Sequence, residues 1–201
     1  MSFTEQNAKE YIDKNINHIN RLRHTIINLA SAQHILLYMK RLQEVSKEAR
    51  LSADINRTMD IEAFVSVIVM SYGRFFTESK GASVFKKKLI PAHLIKAHNE
   101  IISLRNERYA HHGAHDTVAA EIELFVMENE VQFKIHWWAS TYDGAAPHWQ
   151  ELFEWMHNYL KESFHKQVDF LSRTTGKHWP RFDPHLTLEQ VYTRSCNLTT
   201  G

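Results

Sequence analysis

Residues 11–45 read YIDKNINHINRLRHTIINLASAQHILLYMKRLQEV, and this stretch decides the fold class. Its apolar residues recur every three or four positions, which is the spacing of one face of a helix. No glycine or proline interrupts the pattern before Asp54. The stretch therefore predicts one long helix or two stacked helices. The residues expected to face a core are Ile12, Ile16, Ile19, Leu22, Ile26, Leu29, Ile35, Met39, Leu42 and Val45.

Further stretches carry the same helical spacing. They cover about residues 60–81, 91–112 and 147–176. Pro91 and Pro147 suit the first turn of a helix, because a residue there needs no backbone N–H donor. The sequence thus predicts helices joined by short connections, with the longest of the three at 147–176.

Between the last two helices, the apolar spacing changes to two, which indicates strands. If Val126 faces Val131, the same register pairs Glu123 with Lys134 and sets Glu121 opposite His136. We therefore predict a β-hairpin at about 120–138, with charges on its outer face and an apolar inner face. The apolar positions are Ile122, Leu124, Val126, Val131, Phe133, Ile135 and Trp137.

These elements together predict a mainly α fold: an up-and-down bundle of four to five helices with one hairpin inserted before the last long helix. Only six glycines and four prolines occur, against roughly 24 expected from average usage, which argues against a turn-rich sandwich or barrel. We expect a single bundle domain over residues 1–176 and an irregular tail over 177–201.

Composition also limits the location and the partners. Twenty-four Lys and Arg against 23 Asp and Glu leave a charge of +1, which provides no global field for nucleic acid or anionic lipid. Cys196 is the single cysteine, so no internal disulfide can form, as is usual in a reducing compartment. Apolar stretches are too short to span a membrane. We therefore predict a cytoplasmic protein without membrane contact.

The candidate site is the segment LRNERYAHHGAHD at residues 104–116, where the fourteen histidines cluster most densely. Arginine carries a permanent charge on a planar fork that suits phosphate, and histidine exchanges protons near neutral pH. An Arg and a His one to two helical turns apart could hold a phosphodiester and move protons around it.

The order Arg105, Asn106, His111 resembles the motif of the HEPN superfamily, helical bundles of which many are RNases: an Arg, a polar residue, and a His separated from the Arg by four to six residues. The segment is also similar to the abortive-infection branch of that superfamily. The resemblance implies a metal-independent endoribonuclease in antiphage defence or a toxin system, with no cofactor. It also implies a composite site at a homodimer interface and an antitoxin or regulatory protein as a further partner.

In that mechanism a ribose 2′-hydroxyl attacks the adjacent phosphorus, His111 transfers protons, and Arg105 neutralises the growing phosphoryl charge. Asn106 would position Arg105, the histidine or a phosphate oxygen. His112 is kept as a substitute for His111, because on a regular helix it projects on nearly the same side as Arg105. RNA phosphate contacts are assigned to Arg108, Lys96, Lys86, Lys87 and Lys88.

Several alternatives remain open. Arg-His pairs at this spacing arise by chance about twice in such a composition, and Arg173 with His178 is a further pair of that kind. A second function class is a catalytically silent HEPN bundle that binds RNA, nucleotide or a protein partner. A metal enzyme is the third, because Glu154 with His157 and Glu162 with His165 have the spacing of di-iron ligands; we assign no metal, since both pairs lie on one helix.

Overall fold

The computed structural model describes residues 5–49, 55–77, 84–109, 118–127, 130–139 and 147–181. The chain is mainly helical, and a two-stranded antiparallel hairpin precedes the last long helix, so the predicted fold class is confirmed. In chain order the elements are α1 (Glu5–Ala49), α2 (Ile55–Arg74), α3 (Ile95–Leu104), β1 (Val118–Val126), β2 (Val131–Ala139) and α4 (Pro147–Thr175). The first stretch is thus one helix rather than two.

The chain divides into two compact units. Unit 1 combines residues 1–26 with 158–201, and unit 2 is continuous from Ile27 to His157. Unit 2 contains the hairpin, α2, α3 and the candidate motif. The single domain over 1–176 stays a prediction.

Unit 2 has a well-packed apolar core built from the helical stripes that the sequence predicts. Burial of these side chains is the main force that holds the helices in place. The largest fully buried side chains of this unit are Ile35, Met39, Leu42, Ile68, Tyr72, Leu94, Ile101, Trp149, Leu152, Phe153 and Met156.

In unit 1 the predicted stripe of α1 is partly wrong. Ile12, Ile16 and Ile26 are 41–47% exposed, whereas Asn15 and Thr25 are buried. Burial of these polar side chains is possible because each finds a hydrogen-bond partner. Asn15 Nδ2 donates to the Tyr11 carbonyl at 2.9 Å, and Thr25 Oγ1 donates to the Arg21 carbonyl at 3.0 Å and accepts from Gln167 Nε2 at 2.8 Å.

The third helix is shorter than the sequence predicts. Two 3₁₀ turns, Lys87–Leu89 and Ala92–Leu94, lead into α3, and regular α geometry ends at Leu104. Arg105–Tyr109 continues the chain as a π-helical turn. The change from α to π geometry therefore falls on the first residue of the candidate motif.

The hairpin has the predicted register: Val126 pairs with Val131, Glu123 with Lys134, and Glu121 with His136. In the described chain, the predicted apolar inner face is largely exposed. The apolar hairpin face, as we call it, has side chains between 53% and 78% exposed: Ile122, Leu124, Val126, Val131, Phe133 and Ile135. Alternation fixes which side chains share a face, but it does not supply a layer to cover that face.

Candidate active site

The candidate motif begins on the π-helical turn Arg105–Tyr109 that extends α3. The Arg105 N–H is shared between the carbonyls of Ile101 and Ile102, which marks the point where the regular hydrogen-bond ladder changes. Single π turns are rare in proteins, and many of those that occur lie at functional sites. The backbone is thus irregular at Arg105, which is predicted to be catalytic.

Arg105 lies in a slot on α2 that a glycine creates. Gly73 is buried, and a methyl group at this position would collide with Arg105 Cδ and Nε. The Arg105 guanidinium then donates from Nη1 to Asn106 Oδ1 at 2.9 Å. Among the described residues no carboxylate forms an ion pair with Arg105, so its positive charge is not neutralised there.

Arg108, three residues on, has a different environment. Its Nη2 lies 2.9 Å from Glu62 Oε1, and its side chain is only 7% exposed. Gly73 and Glu62 are eleven residues apart on α2, about 16 Å along the helix axis. The two arginines therefore meet α2 at separate points, and only the contact of Arg108 is an ion pair. Because Arg108 forms this ion pair with Glu62, we do not propose it as a phosphate contact.

The lysines assigned to phosphate lie at the other end of α3. Lys86, Lys87, Lys88 and Lys96 are all exposed, and Lys87 Nζ donates to Asn99 Oδ1 at 2.8 Å. Lys96 precedes Arg105 by nine residues, which is two and a half helical turns and about 14 Å of rise. Lys96 and Arg105 therefore lie on opposite sides of the helix and do not converge on one phosphate.

His111 and His112, assigned to proton transfer, and the nearby His115 lie outside the described residues, as does Cys196. The structure thus brings Arg105 and Asn106 together and leaves the histidine of the motif as an expectation from the sequence.

Sequence reasoning missed a histidine on α3 itself. His98 is buried, and its Nδ1 shares a 2.9 Å hydrogen bond with the Tyr72 hydroxyl. Phe76 contacts the ring edge-on at 4.6 Å between centroids. Burial, and then the charge of Lys87, lower the pKa of His98 from 6.5 to about 4, while burial raises the pKa of Tyr72. His98 is therefore neutral near pH 7 and joins α2 to α3.

Apart from His136 of the hairpin, two further histidines of unit 2 pair with carboxylates. His148 Nε2 lies 2.8 Å from Glu100 Oε2, and His93 Nε2 lies 3.5 Å from Glu151 Oε1. Both contacts connect the region of α3 to the first turns of α4. Within the described ranges, no group of three or more His, Cys, Asp or Glu side chains is arranged to hold a metal ion.

A groove between α1 and α2 is a second feature that the sequence analysis did not single out. It has a volume of about 490 Å³, and its lining includes Arg74 and His34, which have no ion pair among the described residues. The remaining lining residues are Ser31, Tyr38, Ser66, Val67, Met70 and Ser71. The sequence gives little indication of this groove, because its lining residues belong to two helices and become neighbours only in the folded chain.

No helix in the described part of the chain is long and apolar enough to cross a membrane. In comparisons with known proteins, no family model, no curated protein and no solved structure matches this chain. The resemblance to the HEPN superfamily therefore rests on the motif residues, of which Arg105 and Asn106 are described.

Proposed function

We propose that this protein is a metal-independent endoribonuclease of the HEPN type, in a defence or toxin role, and that Arg105 is its charge-stabilising residue. One observation carries the proposal: Arg105 is seated in the Gly73 slot, held by Asn106, and free of any described carboxylate. A guanidinium whose stem lies in a slot and whose Nη1 has one hydrogen-bond partner is partly oriented before a phosphoryl group arrives, and preorganised charge is the condition for strong electrostatic catalysis.

The reaction balances without a cofactor. The 2′-hydroxyl of the RNA loses its proton to a base and attacks the adjacent phosphorus, while the 5′-oxygen leaves and takes up a proton. The products are a 2′,3′-cyclic phosphate and a 5′-hydroxyl. His111, with His112 as its substitute, moves the protons, and Arg105 neutralises the charge on the non-bridging oxygens. DNA, which lacks the 2′-hydroxyl, is not a substrate for this reaction.

The site is proposed to be composite, with the motifs of two protomers meeting across a two-fold axis. One Arg and one His supply one charge partner and one proton-transfer group, whereas the reaction needs a proton removed and a proton delivered. A symmetric dimer supplies the second copy of each group without any further residues.

Cleavage of single-stranded RNA by the purified protein, in the presence of a metal chelator, tests the proposal. We expect Arg105→Ala and His111→Ala each to lower the cleavage rate by about a hundredfold or more, the scale for loss of a charge partner or proton-transfer group. His112→Ala distinguishes the two histidines. Products should end in a 2′,3′-cyclic phosphate.

The matched control is the pair Arg173 and His178, which has an allowed motif spacing by chance. Arg173 is exposed on α4 and donates from Nε to the Asp169 carbonyl at 3.4 Å, and His178 is exposed beyond the helix end. Their alanine variants should cut at the wild-type rate. Loss of activity in these variants but not in Arg105→Ala, or full dependence on an added metal ion, would refute the proposal.

The groove between α1 and α2 supports the second candidate, a silent bundle that binds a phosphate-bearing ligand such as RNA or nucleotide. Its cation Arg74 is exposed and unneutralised among the described residues, and phosphate oxygens are natural partners for such a group. This candidate is favoured if the wild type binds RNA without cutting it and if Arg74→Ala weakens that binding while Arg105→Ala does not.

A further inference from the structure

The apolar hairpin face places six large apolar side chains at the surface of the described chain. Its six side chains form three directly opposed pairs: Ile122 with Ile135, Leu124 with Phe133, and Val126 with Val131. All six are more than half exposed, although they are among the residues that proteins most often bury. A contiguous apolar patch of this kind usually marks an interaction surface.

Among the described residues, the hairpin also lacks the extensive helix contacts that would support a two-stranded sheet. Across the described elements, its strands pair extensively with each other, and neither makes an extensive contact with a helix. An isolated two-stranded hairpin is only marginally stable in water, and an additional layer against its apolar face is the usual remedy. The missing layer must be apolar, flat and about as large as the hairpin.

We propose that this layer is the same hairpin of a second copy of the chain, packed face to face across a two-fold axis. Each face is then complementary to itself, as an isologous interface requires. The exposed fractions of the six residues correspond to at most about 700 Å² of surface, slightly below the ~800 Å² that each partner of a standard interface buries. Two such hairpins would stack about 10 Å apart with nearly aligned strands, as sheets do in sandwiches.

The charge pattern favours stacking of faces over pairing of edges. The opposite face of β1 carries Glu121 and Glu123, and that of β2 carries Lys134 and His136. The acids and bases are matched within one hairpin, since His136 Nε2 lies 3.3 Å from Glu123 Oε2. Edge pairing of two β1 strands would bring glutamates together, and edge pairing of two β2 strands would bring bases together, which disfavours both.

The test compares two phenylalanines of the same hairpin that lie on opposite faces. Phe133, on the apolar face, is 63% exposed, and Phe125, on the charged face, is 46% exposed. Light scattering at tens of micromolar should give the wild type a mass of about 47 kDa, twice the 23.6 kDa of one chain. Phe133→Glu should raise the dissociation constant about thirtyfold or more, as loss of a central anchor does, and Phe125→Glu should leave it within about threefold.

Leu124→Glu is the second variant on the apolar face, and circular dichroism checks that all three variants remain helical. Backbone hydrogen exchange of residues 118–139 gives a readout on the wild type itself, because protection should fall on dilution below the dissociation constant. A wild-type monomer would overturn the proposal. A dimer that survives both Phe133→Glu and Leu124→Glu would overturn it equally.

This inference does not rest on the ribonuclease proposal, and the two fail separately. If Phe133→Glu is monomeric and still cuts RNA, the hairpin interface stands and the composite site is refuted. If the wild type is a hairpin-dependent dimer that cuts no RNA, the interface stands and the enzymatic proposal is refuted.

Discussion

The segment from Ile95 to Tyr109 is continuous, but its two halves place their side chains in different surroundings. The first half buries a histidine, and the second half presents an arginine without a described counter-ion. In the first half, α3 buries His98 among aromatic rings and holds it neutral. In the second half, the π turn leaves the charge of Arg105 without a described counter-ion, while Arg108 is paired with Glu62.

The comparison teaches that residue type alone does not identify a site. A histidine such as His98 can transfer protons, and an arginine such as Arg108 can bind phosphate. Here, however, both side chains bond to residues of α2 and so hold α3 and its extension against that helix. Arg105 differs because a slot and a single amide orient it without neutralising it. The next experiments test each side of this contrast, from the largest expected effect to the smallest.

The structural role of His98 predicts that acid lowers the free energy of unfolding. Its pKa is lowered to about 4 in the folded state, so between about pH 6.5 and pH 4 the unfolded chain binds a proton that the folded chain does not. The free energy of unfolding therefore falls as the pH decreases through this window and is unaffected by this group above it. The loss reaches at most about 3 kcal/mol, from 1.36 kcal/mol for each pKa unit.

Urea unfolding at a series of pH values measures this loss. His98→Phe, which keeps an aromatic ring in the cluster and removes the titrating group, is the matched variant. Its stability should depend less steeply on pH over the same window. An equal slope in wild type and variant would show that His98 is not the group responsible.

Removal of Arg108 should destabilise the fold, since it leaves the Glu62 carboxylate in a partly buried position without its cation. We expect Arg108→Ala to lower the free energy of unfolding by about 2 kcal/mol. A double-mutant cycle with Glu62→Gln isolates the pair, and the second substitution should cost much less once the first is present. Additive effects would mean that the two side chains do not interact in solution.

A methyl group at Gly73 should displace the Arg105 side chain and leave the rest of the fold unchanged. Gly73→Ala gains about 0.5–1 kcal/mol in helix propensity but forces the Arg105 side chain to move. If Arg105 acts in cleavage, the rate should fall about tenfold with the fold intact, since small displacements of a catalytic group are costly. Ala63→Ser, which adds one atom at an exposed position of the same helix, is the control and should leave the rate unchanged.

The sequence predicts those parts of the fold that repeat along the chain. The apolar period identifies α4 from Pro147 to Thr175, and the alternation around Val126 and Val131 fixes the hairpin register. It does not predict contacts between distant residues, such as Arg108 with Glu62, because no local pattern encodes a pairing across 46 positions. It also identifies the side chains of the apolar hairpin face but not what covers that face, because alternation carries no information about a second layer.

Within the candidate site, the sequence predicts the neighbours Arg105 and Asn106 because their contact is local. The Gly73 slot belongs to another helix and becomes visible only in the folded chain. The π turn is equally hidden, since residues 104–109 continue an ordinary helical pattern in sequence. Physical surroundings, rather than spacing, therefore separate Arg105 from the other arginines that precede a histidine.

The central claim is that Arg105 serves function and not folding, and one paired measurement on Arg105→Ala tests it directly. The same sample is assayed for RNA cleavage with chelator present and for the free energy of unfolding in urea. The account predicts a cleavage rate at least about a hundredfold lower and a stability within about 0.5 kcal/mol of wild type. A variant that unfolds much more easily while cutting RNA at the wild-type rate would contradict it.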